Sequence, residues 1–362
     1  MTRTSTDTSA AAIVALARED IRRLEPYKNA SWEPALTRLH ANESPWPPAF
    51  DAGLGEDALH RYPQPQPPEL LAAAAVAWGV DPSQVLVGRG SDEAIDLVTR
   101  AFCAAGSDTV VVCPPTFGMY AVAARIQGAL LRRVPLDPAR GFALDVPGII
   151  AAIGAGAKLV WLCTPNNPTG TEAATADIEA VLAAAAGRAL VVVDEAYAEF
   201  SDASPWTLAV ARYPQLATLR TLSKAHALAG ARMGALIAAP EIIALLRRIV
   251  PPYAVPAPTL RASLAALRPD SLAVTAERTA LLRQERERLA KGLAGAPGVR
   301  RIWPSAANFL LAEWCDAAEV YARLRAAGLL VRDFRGYDGL GPVLRLTVGS
   351  PAENDRMLEV LA

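Results

Sequence analysis

The chain has 362 residues, 52 % of them hydrophobic and 20 % charged, and 36 Lys and Arg against 37 Asp and Glu leave a net charge of −1. That composition supplies a sizeable core and excludes wholesale disorder, and the charge balance removes the electrostatic basis for binding nucleic acid or an anionic membrane. Two to three domain-sized units are expected. The longest apolar runs, Leu70–Val80 and Gly148–Ala157, are too short and too rich in Ala and Gly to span a bilayer. The polar start fits a signal peptide poorly, so a soluble cytoplasmic protein is expected.

In chain order, the sequence predicts an N-terminal arm over residues 1–45, with an amphipathic stretch near Ile13–Leu24 and a proline-rich end running into Pro45-Trp46-Pro47-Pro48. The passage Tyr62–Pro68 is excluded from helix and central strand by its prolines. From residue 69 to about 240, helical stretches alternate with β-rich runs at Gln84–Val87, Thr109–Cys113, Lys158–Cys163, Ala189–Val193, Thr218–Leu222 and Ala235–Ala238. Several are almost continuously apolar, as strands covered on both faces must be, so an α/β fold with a mostly parallel sheet is predicted for a large domain at 46–255. Beyond the prolines at 251–258, a helix over Val274–Leu293 is expected to turn Leu281, Leu282, Leu289 and Leu293 inward and to leave Glu285 to Arg288 solvated. With strands at Phe309–Glu313 and Val343–Val348 it makes a smaller α+β domain at 256–362.

The cysteines (Cys103, Cys113, Cys163, Cys315) form no C-x-x-C pair and the three histidines are scattered, so no metal site is expected; Cys103, Cys113 and Cys163 read as buried thiols. Lysine is scarce. Of the 36 basic residues only Lys28, Lys158, Lys224 and Lys291 carry an amine able to lose its proton. Lys224 alone follows a strand end and precedes a small-residue segment, which makes it a candidate Schiff-base former. In a parallel sheet ligands gather outside the carboxyl ends of the strands. At those ends stand Gly88-Arg89-Gly90-Ser91-Asp92-Glu93, Thr164-Pro165-Asn166-Asn167-Pro168-Thr169-Gly170, Asp194-Glu195-Ala196-Tyr197 and Ser223-Lys224. An amine, a carboxylate, an amide, a phenol and a glycine-opened helix start, with Ser91 or Asp92 as cap, match the needs of pyridoxal 5′-phosphate: a lysine for its aldehyde, an acid for its ring nitrogen and a cradle for its phosphate. Arg232, eight residues beyond Lys224, supplies the cation for that phosphate.

These segments, together with Glu25-Pro26-Tyr27, Ala41-Asn42-Glu43, Arg61-Tyr62-Pro63, Pro114-Pro115-Thr116-Phe117-Gly118-Met119-Tyr120, Gly230-Ala231-Arg232, Val331-Arg332-Asp333 and Leu344-Arg345-Leu346-Thr347-Val348-Gly349, cover nearly the whole chain. They resemble the fold-type I pyridoxal-phosphate enzymes of the aspartate aminotransferase superfamily, and within it the histidinol-phosphate aminotransferases. The resemblance implies that Lys224 holds the cofactor and moves the proton between substrate Cα and cofactor C4′. It implies that Asp194 pairs with the ring nitrogen, Tyr197 and Asn167 bond the ring's phenolic oxygen, and Tyr120 stacks on the ring. Ser91, Asp92, Thr221, Ser223 and Arg232 would hold the phosphate. Arg332 and Arg345, assisted by Tyr27 and Asn42, would clamp an anionic substrate, and Tyr62 would reach the partner's site in a homodimer.

The implied reaction is transamination between histidinol phosphate and 2-oxoglutarate. An aromatic amino acid aminotransferase or a threonine-phosphate decarboxylase on the same scaffold is the alternative, decided by pocket residues. Two positions depart from the pattern. His226 stands where phenylalanine is usual and reads as a packing substitute, and Arg335 is an extra arginine beside the clamp.

Overall fold

The computed structural model describes residues 8–25 and 59–362; Tyr27, Asn42 and the prolines at 45–48 lie outside the described residues. The expected amphipathic stretch is two short helices, α1 (Ala10–Ala15), capped by the Ser9 hydroxyl, and α2 (Glu19–Arg23). Helix α3 (Pro68–Trp78) starts inside the segment that its prolines exclude from helix: Pro68 sits in the first turn, where a missing N–H costs no hydrogen bond. There follow β1 (Val85–Arg89), α4 (Ser91–Phe102), β2 (Thr109–Val112), α5 (Met119–Gln127), β3 (Leu130–Arg133), α6 (Val146–Gly154), β4 (Ala157–Cys163), α7 (Thr175–Ala185), β5 (Leu190–Asp194), β6 (Leu216–Thr221), β7 (Met233–Ala238) and α8 (Pro240–Leu246). All six expected strands are present with ends displaced by no more than two residues. The unforeseen β3 is an edge strand whose Arg132 and Arg133 are exposed, so it lacks the apolar signature.

The strands form one sheet in the order β1-β7-β6-β5-β4-β2-β3. Neighbours from β6 through β3 are parallel, whereas β7 is antiparallel to both β1 and β6. Both faces are covered: on β5, Val191 and Val193 pack with Ile178 and Leu182 of α7, while Leu190 and Val192 pack with Ile95 and Val98 of α4. This two-sided burial is why the strands read as apolar runs rather than alternations. The topology also fixes the site. Strands β1, β2, β4, β5 and β6 all point one way, so their carboxyl ends share an edge, and the reversed β7 begins on that edge, just after Arg232.

The chain continues through α9 (Ala257–Ala266), α10 (Pro269–Leu293), β8 (Val299–Ile302), β9 (Phe309–Trp314), α11 (Ala317–Ala326), β10 (Arg332–Asp333), β11 (Val343–Thr347) and α12 (Pro351–Leu361). Its strands make an antiparallel sheet, β10-β11-β9-β8, with Leu310, Leu344 and Leu346 packed against Leu289 and Leu293 of α10.

Helix α10 departs from expectation in three ways. It begins five residues early, Leu281 is 46 % exposed, and Glu285 and Arg286, expected in solvent, are buried. The middle of the helix packs against the Phe200 turn and against α12, which bury Glu285 and Arg286 while Glu287 and Arg288 stay exposed. Arg286 Nη1 donates to the carbonyls of Phe200 (3.2 Å) and Ala307 (3.1 Å), and the Glu285 carboxylate accepts from Arg288 Nη2 (2.7 Å) and Asn354 Nδ2 (2.8 Å). Arg286→Leu strips two buried carbonyls of their donor and should cost about 2–4 kcal/mol. Urea unfolding checks this, and an unchanged midpoint would return Arg286 to the solvated face.

Candidate active site

A cavity of about 670 Å³ opens at the edge where the strands end. Its walls include Ser91, Asp92, Asn167, Asp194, Tyr197, Thr221, Ser223, Lys224, Arg232, Arg332 and Arg345. The carboxyl ends of β1, β4, β5 and β6, the start of β7 and the small sheet therefore deliver these side chains to one place, as the sheet-edge rule anticipates.

One corner is built for an anion. Gly90 caps α4 with φ 80°, so the cap is a glycine and Ser91 opens the helix instead of capping it. The first-turn N–H groups of a helix lack intrahelical acceptors, and the helix dipole favours negative charge there. Arg232, itself at φ 58°, brings its guanidinium beside Gly90, where a Cβ would lie 2.7 Å from Nη2; that Nη2 also donates to Asp92 Oδ2 at 3.1 Å. Gly234 packs flat on the same turn, and a Cβ there would lie 2.3 Å from the Ser91 nitrogen. The loop after β6 is tied down by Thr221, whose hydroxyl accepts from the Ser223 N–H (3.1 Å) and donates to the Met233 carbonyl (3.1 Å).

Beside that corner stands Lys224. Its amine makes no hydrogen bond or ion pair among the described residues and lies 5.5 Å from the centre of the Tyr197 ring. Burial, with the Arg345 charge, holds its pKa below the usual lysine value. Burial pushes Asp194, 3 % exposed, above the usual carboxylate range; hydrogen bonds from the Tyr120 hydroxyl (2.6 Å to Oδ2) and the Ala196 N–H (3.0 Å to Oδ1) oppose that rise. Burial raises the Tyr197 phenol well above its usual pKa, so it stays a proton donor.

The opposite wall carries two arginines in direct register, Arg332 on β10 against Arg345 on β11. Like charges facing each other across an antiparallel pair repel, and an anion between them removes the penalty. Arg345 Nη1 donates to Asn167 Oδ1 at 2.5 Å, its guanidinium lies 5.0 Å from the Phe309 ring, and its buried Nε has no partner among the described residues. Burial lowers its pKa. Arg332 Nη2 reaches the Tyr337 hydroxyl at 3.3 Å. Asn167 is free to face Arg345 because its neighbour Asn166 does the structural work, bonding the Pro115 carbonyl and the Thr116 and Thr169 hydroxyls.

Two expectations, for Tyr120 and Cys163, are corrected, and the other singled-out residues are placed as follows. Tyr120 does not line the cavity. It is fully buried beside Asp194 and stacked on Trp161, and Phe117 of the same motif lines the cavity in its stead. Cys163 is half-buried and lines the cavity. Tyr62, also outside the cavity lining, is 49 % exposed and stacks on Tyr253 at 4.5 Å between ring centres. Tyr27 and Asn42 fall outside the described residues. His226 turns away into a second cavity with Arg220 and Glu199, its Nε2 3.8 Å from Glu199. Arg335 forks onto Asp333, with Nη2 2.6 Å from Oδ2. Phe334 and Tyr337, given no role by the sequence, complete the wall around Arg332.

The residues fit pyridoxal phosphate. Two glycines keep a cradle open that a Cβ would fill, and among the described residues the lysine amine has no hydrogen-bond or ion-pair partner, the buried Asp194 carboxylate has no ion-pair partner, and Arg345 Nε is orphaned.

The family model "Aminotransferase class I and II" matches residues 46–361. The chain is 50 % identical to the histidinol-phosphate aminotransferase of Xanthomonas campestris pv. campestris (strain 8004), over 98 % of each chain. It is 49 % identical to that of Stenotrophomonas maltophilia (strain R551-3), over 97 % of this chain and 96 % of the relative. Among solved structures, the histidinol-phosphate aminotransferase of Sinorhizobium meliloti in complex with pyridoxal-5′-phosphate superposes with a TM-score of 0.75 at 27 % identity, covering 89 % of this chain and 88 % of that one.

The contact between Gly234 and Ser91 generates a prediction. Gly234→Ala must push the start of α4 away from Arg232, so affinity for pyridoxal phosphate, followed by absorbance titration, should fall by about tenfold or more. Unchanged affinity would mean that this corner does not hold the phosphate.

Proposed function

The chain belongs to the class I and II aminotransferase family and to its histidinol-phosphate aminotransferase branch, and from that premise we propose that it transfers the amino group of histidinol phosphate to 2-oxoglutarate, giving imidazole-acetol phosphate and glutamate within histidine biosynthesis. The observation that carries the reading is the pair of facing arginines, Arg332 and Arg345, opposite a lysine unpartnered among the described residues, in a chain half identical to those relatives along nearly its whole length. Such a pair suits both substrates, since a phosphate and a carboxylate each accept two parallel N–H bonds from a guanidinium fork.

Ser91, Asp92, Thr221, Ser223 and Arg232 would hold the cofactor phosphate, Asp194 would pair with the ring nitrogen, and Tyr197 and Asn167 would bond the ring's phenolic oxygen. Pyridoxal phosphate, when bound, supplies an electron sink that stabilises negative charge on the substrate carbon. Lys224 Nζ, its pKa lowered by burial, takes the proton from the amino-bearing carbon. Tyr197 stays protonated and donates. Arg332 and Arg345 fix the substrate's anionic end, with Tyr27 and Asn42 assisting, and Phe117 lies against the ring. The N-terminal arm at 1–45 and the domains at 46–255 and 256–362 are the proposed units, and the enzyme is proposed as a cytoplasmic homodimer in which the exposed Tyr62 reaches the other subunit's site. Among the described residues, no helix is long and apolar enough to cross a membrane.

Lys224→Ala should lower turnover by about 10⁴-fold or more, and borohydride reduction of the wild-type protein loaded with pyridoxal phosphate should label Lys224 and none of Lys28, Lys158 or Lys291. A label elsewhere, or substantial residual turnover, would refute its role. Because only the neutral amine captures the aldehyde, capture should speed up as pH rises, with a midpoint below that of an exposed lysine; stopped-flow absorbance reads it. In a donor panel, histidinol phosphate should outpace phenylalanine, tyrosine and threonine phosphate. Carbon dioxide release from threonine phosphate would favour the decarboxylase reading instead.

A further inference from the structure

Tyr120 is displaced from the cavity yet touches its most deeply buried charge. The ring lies parallel to Trp161, with 5.0 Å between centres and 2° between planes, and Phe117 meets it edge-on at 5.6 Å. Between those two rings the phenol has a single orientation, and its hydroxyl donates to Asp194 Oδ2 at 2.6 Å. The other carboxylate oxygen takes the Ala196 N–H, so each oxygen has a fixed donor.

We propose that Tyr120 is the positioning residue of Asp194: locked against Trp161, its hydroxyl holds the carboxylate in the one orientation in which it meets the ring nitrogen of pyridoxal phosphate. This rests on the reading that the cofactor binds here with its ring nitrogen on Asp194. The phenol is suited to the task. Burial and the adjacent carboxylate keep it protonated far above any working pH, so toward Asp194 it only ever donates. Burial alone drives Asp194 toward its neutral form, and a neutral carboxyl would no longer hold a proton on the ring nitrogen. The Tyr120 hydroxyl and the Ala196 N–H are the two groups that oppose this by direct hydrogen bonds. A strand residue and a helix residue 74 positions apart are thus joined in one unit, with α5 carrying the donor and β5 the acceptor.

The test is a double-mutant cycle on the full chain: wild type, Tyr120→Phe, Asp194→Asn and the double variant. Each is titrated with pyridoxal phosphate and its bound-cofactor absorbance is followed against pH. Tyr120→Phe removes one oxygen and keeps the ring on Trp161, and thermal unfolding of each variant verifies the fold. The expected result is a dissociation constant raised about 10- to 100-fold, the worth of a hydrogen bond to a charged group, with the pH response of the absorbance displaced. In the Asp194→Asn background, the same substitution should change the constant less than about twofold. A merely structural tyrosine would weaken binding equally in both backgrounds and leave the pH response in place, and either equality or an unchanged constant overturns the proposal. A wild-type chain with no affinity for pyridoxal phosphate would sink the cofactor reading and this inference with it. Normal wild-type binding with no effect of Tyr120→Phe sinks only the latter.

Discussion

A carboxylate 3 % exposed at the end of β5, with hydrogen-bond donors on both oxygens and no cation beside it among the described residues, is the constraint on which the site depends. A buried charge is tolerated where a partner charge and hydrogen bonds offset its lost hydration. Asp194 has the hydrogen bonds but, among the described residues, no ion-pair partner, the Lys224 amine acting on it only at longer range, which leaves room for a cationic group in the cavity. In the proposed reading, the protonated ring nitrogen of pyridoxal phosphate would meet that need. Lys224 is the counterpart: burial costs its charged form too, which favours the neutral amine that an aldehyde requires. A buried carboxylate without an ion-pair partner among the described residues and an amine whose charged form burial disfavours are complementary demands that a single molecule answers.

The reversal of β7 is what joins these demands to the anion corner. Had β7 run parallel to β6, its start, and Arg232 with it, would lie at the far edge of the sheet. The antiparallel return brings Arg232 back beside Gly90 within eight residues of Lys224, and it forces Gly234 against the Ser91 backbone, where a side chain has no room. Lys224 and Arg232 both belong to the loop that joins β6 to β7. The backbone of the loop that carries both residues is anchored by hydrogen bonds from the Leu222 N–H to the Met233 carbonyl and from the Leu228 N–H to the Leu222 carbonyl.

How much of this was legible followed from what each signal depends on. Lys224 stood out because lysine is rare in this chain, and Asp194, Asn167 and Ser91 stood out because strand ends are readable from apolar runs. Tyr120 was misplaced because Phe117 and Tyr120 share one short motif, and composition cannot tell which ring faces the cavity. That is decided by where α5 starts: Met119 opens the helix, so Phe117 stays in the loop at the cavity while Tyr120, in the first turn, is carried under the sheet edge. Glu285 and Arg286 were read as solvated because helical periodicity assumes one buried side, whereas α10 has the Phe200 turn on one flank and the small sheet on the other. The two-residue β10 has no periodicity to detect, and only its pairing with β11 reveals that Arg332 and Arg345 face each other.

Chemistry and substrate recognition are thus lodged in different sheets. The large sheet's edge carries the amine, the buried acid and the corner proposed for the phosphate; the small sheet carries Arg332 and Arg345, the proposed clamp. The hydrogen bond from Arg345 to Asn167 joins the two, and since the resemblance places Asn167 on the cofactor ring, one amide touches both halves. A substrate anion bound between Arg332 and Arg345 would relieve their mutual repulsion and compete for the donors of Arg345, altering what Asn167 feels. Substrate charge would then be sensed at the ring through a single side chain. Anions of different shape, a phosphate and a carboxylate in turn, could be accepted without moving the large sheet, because the adjustment is confined to two arginine forks on short strands.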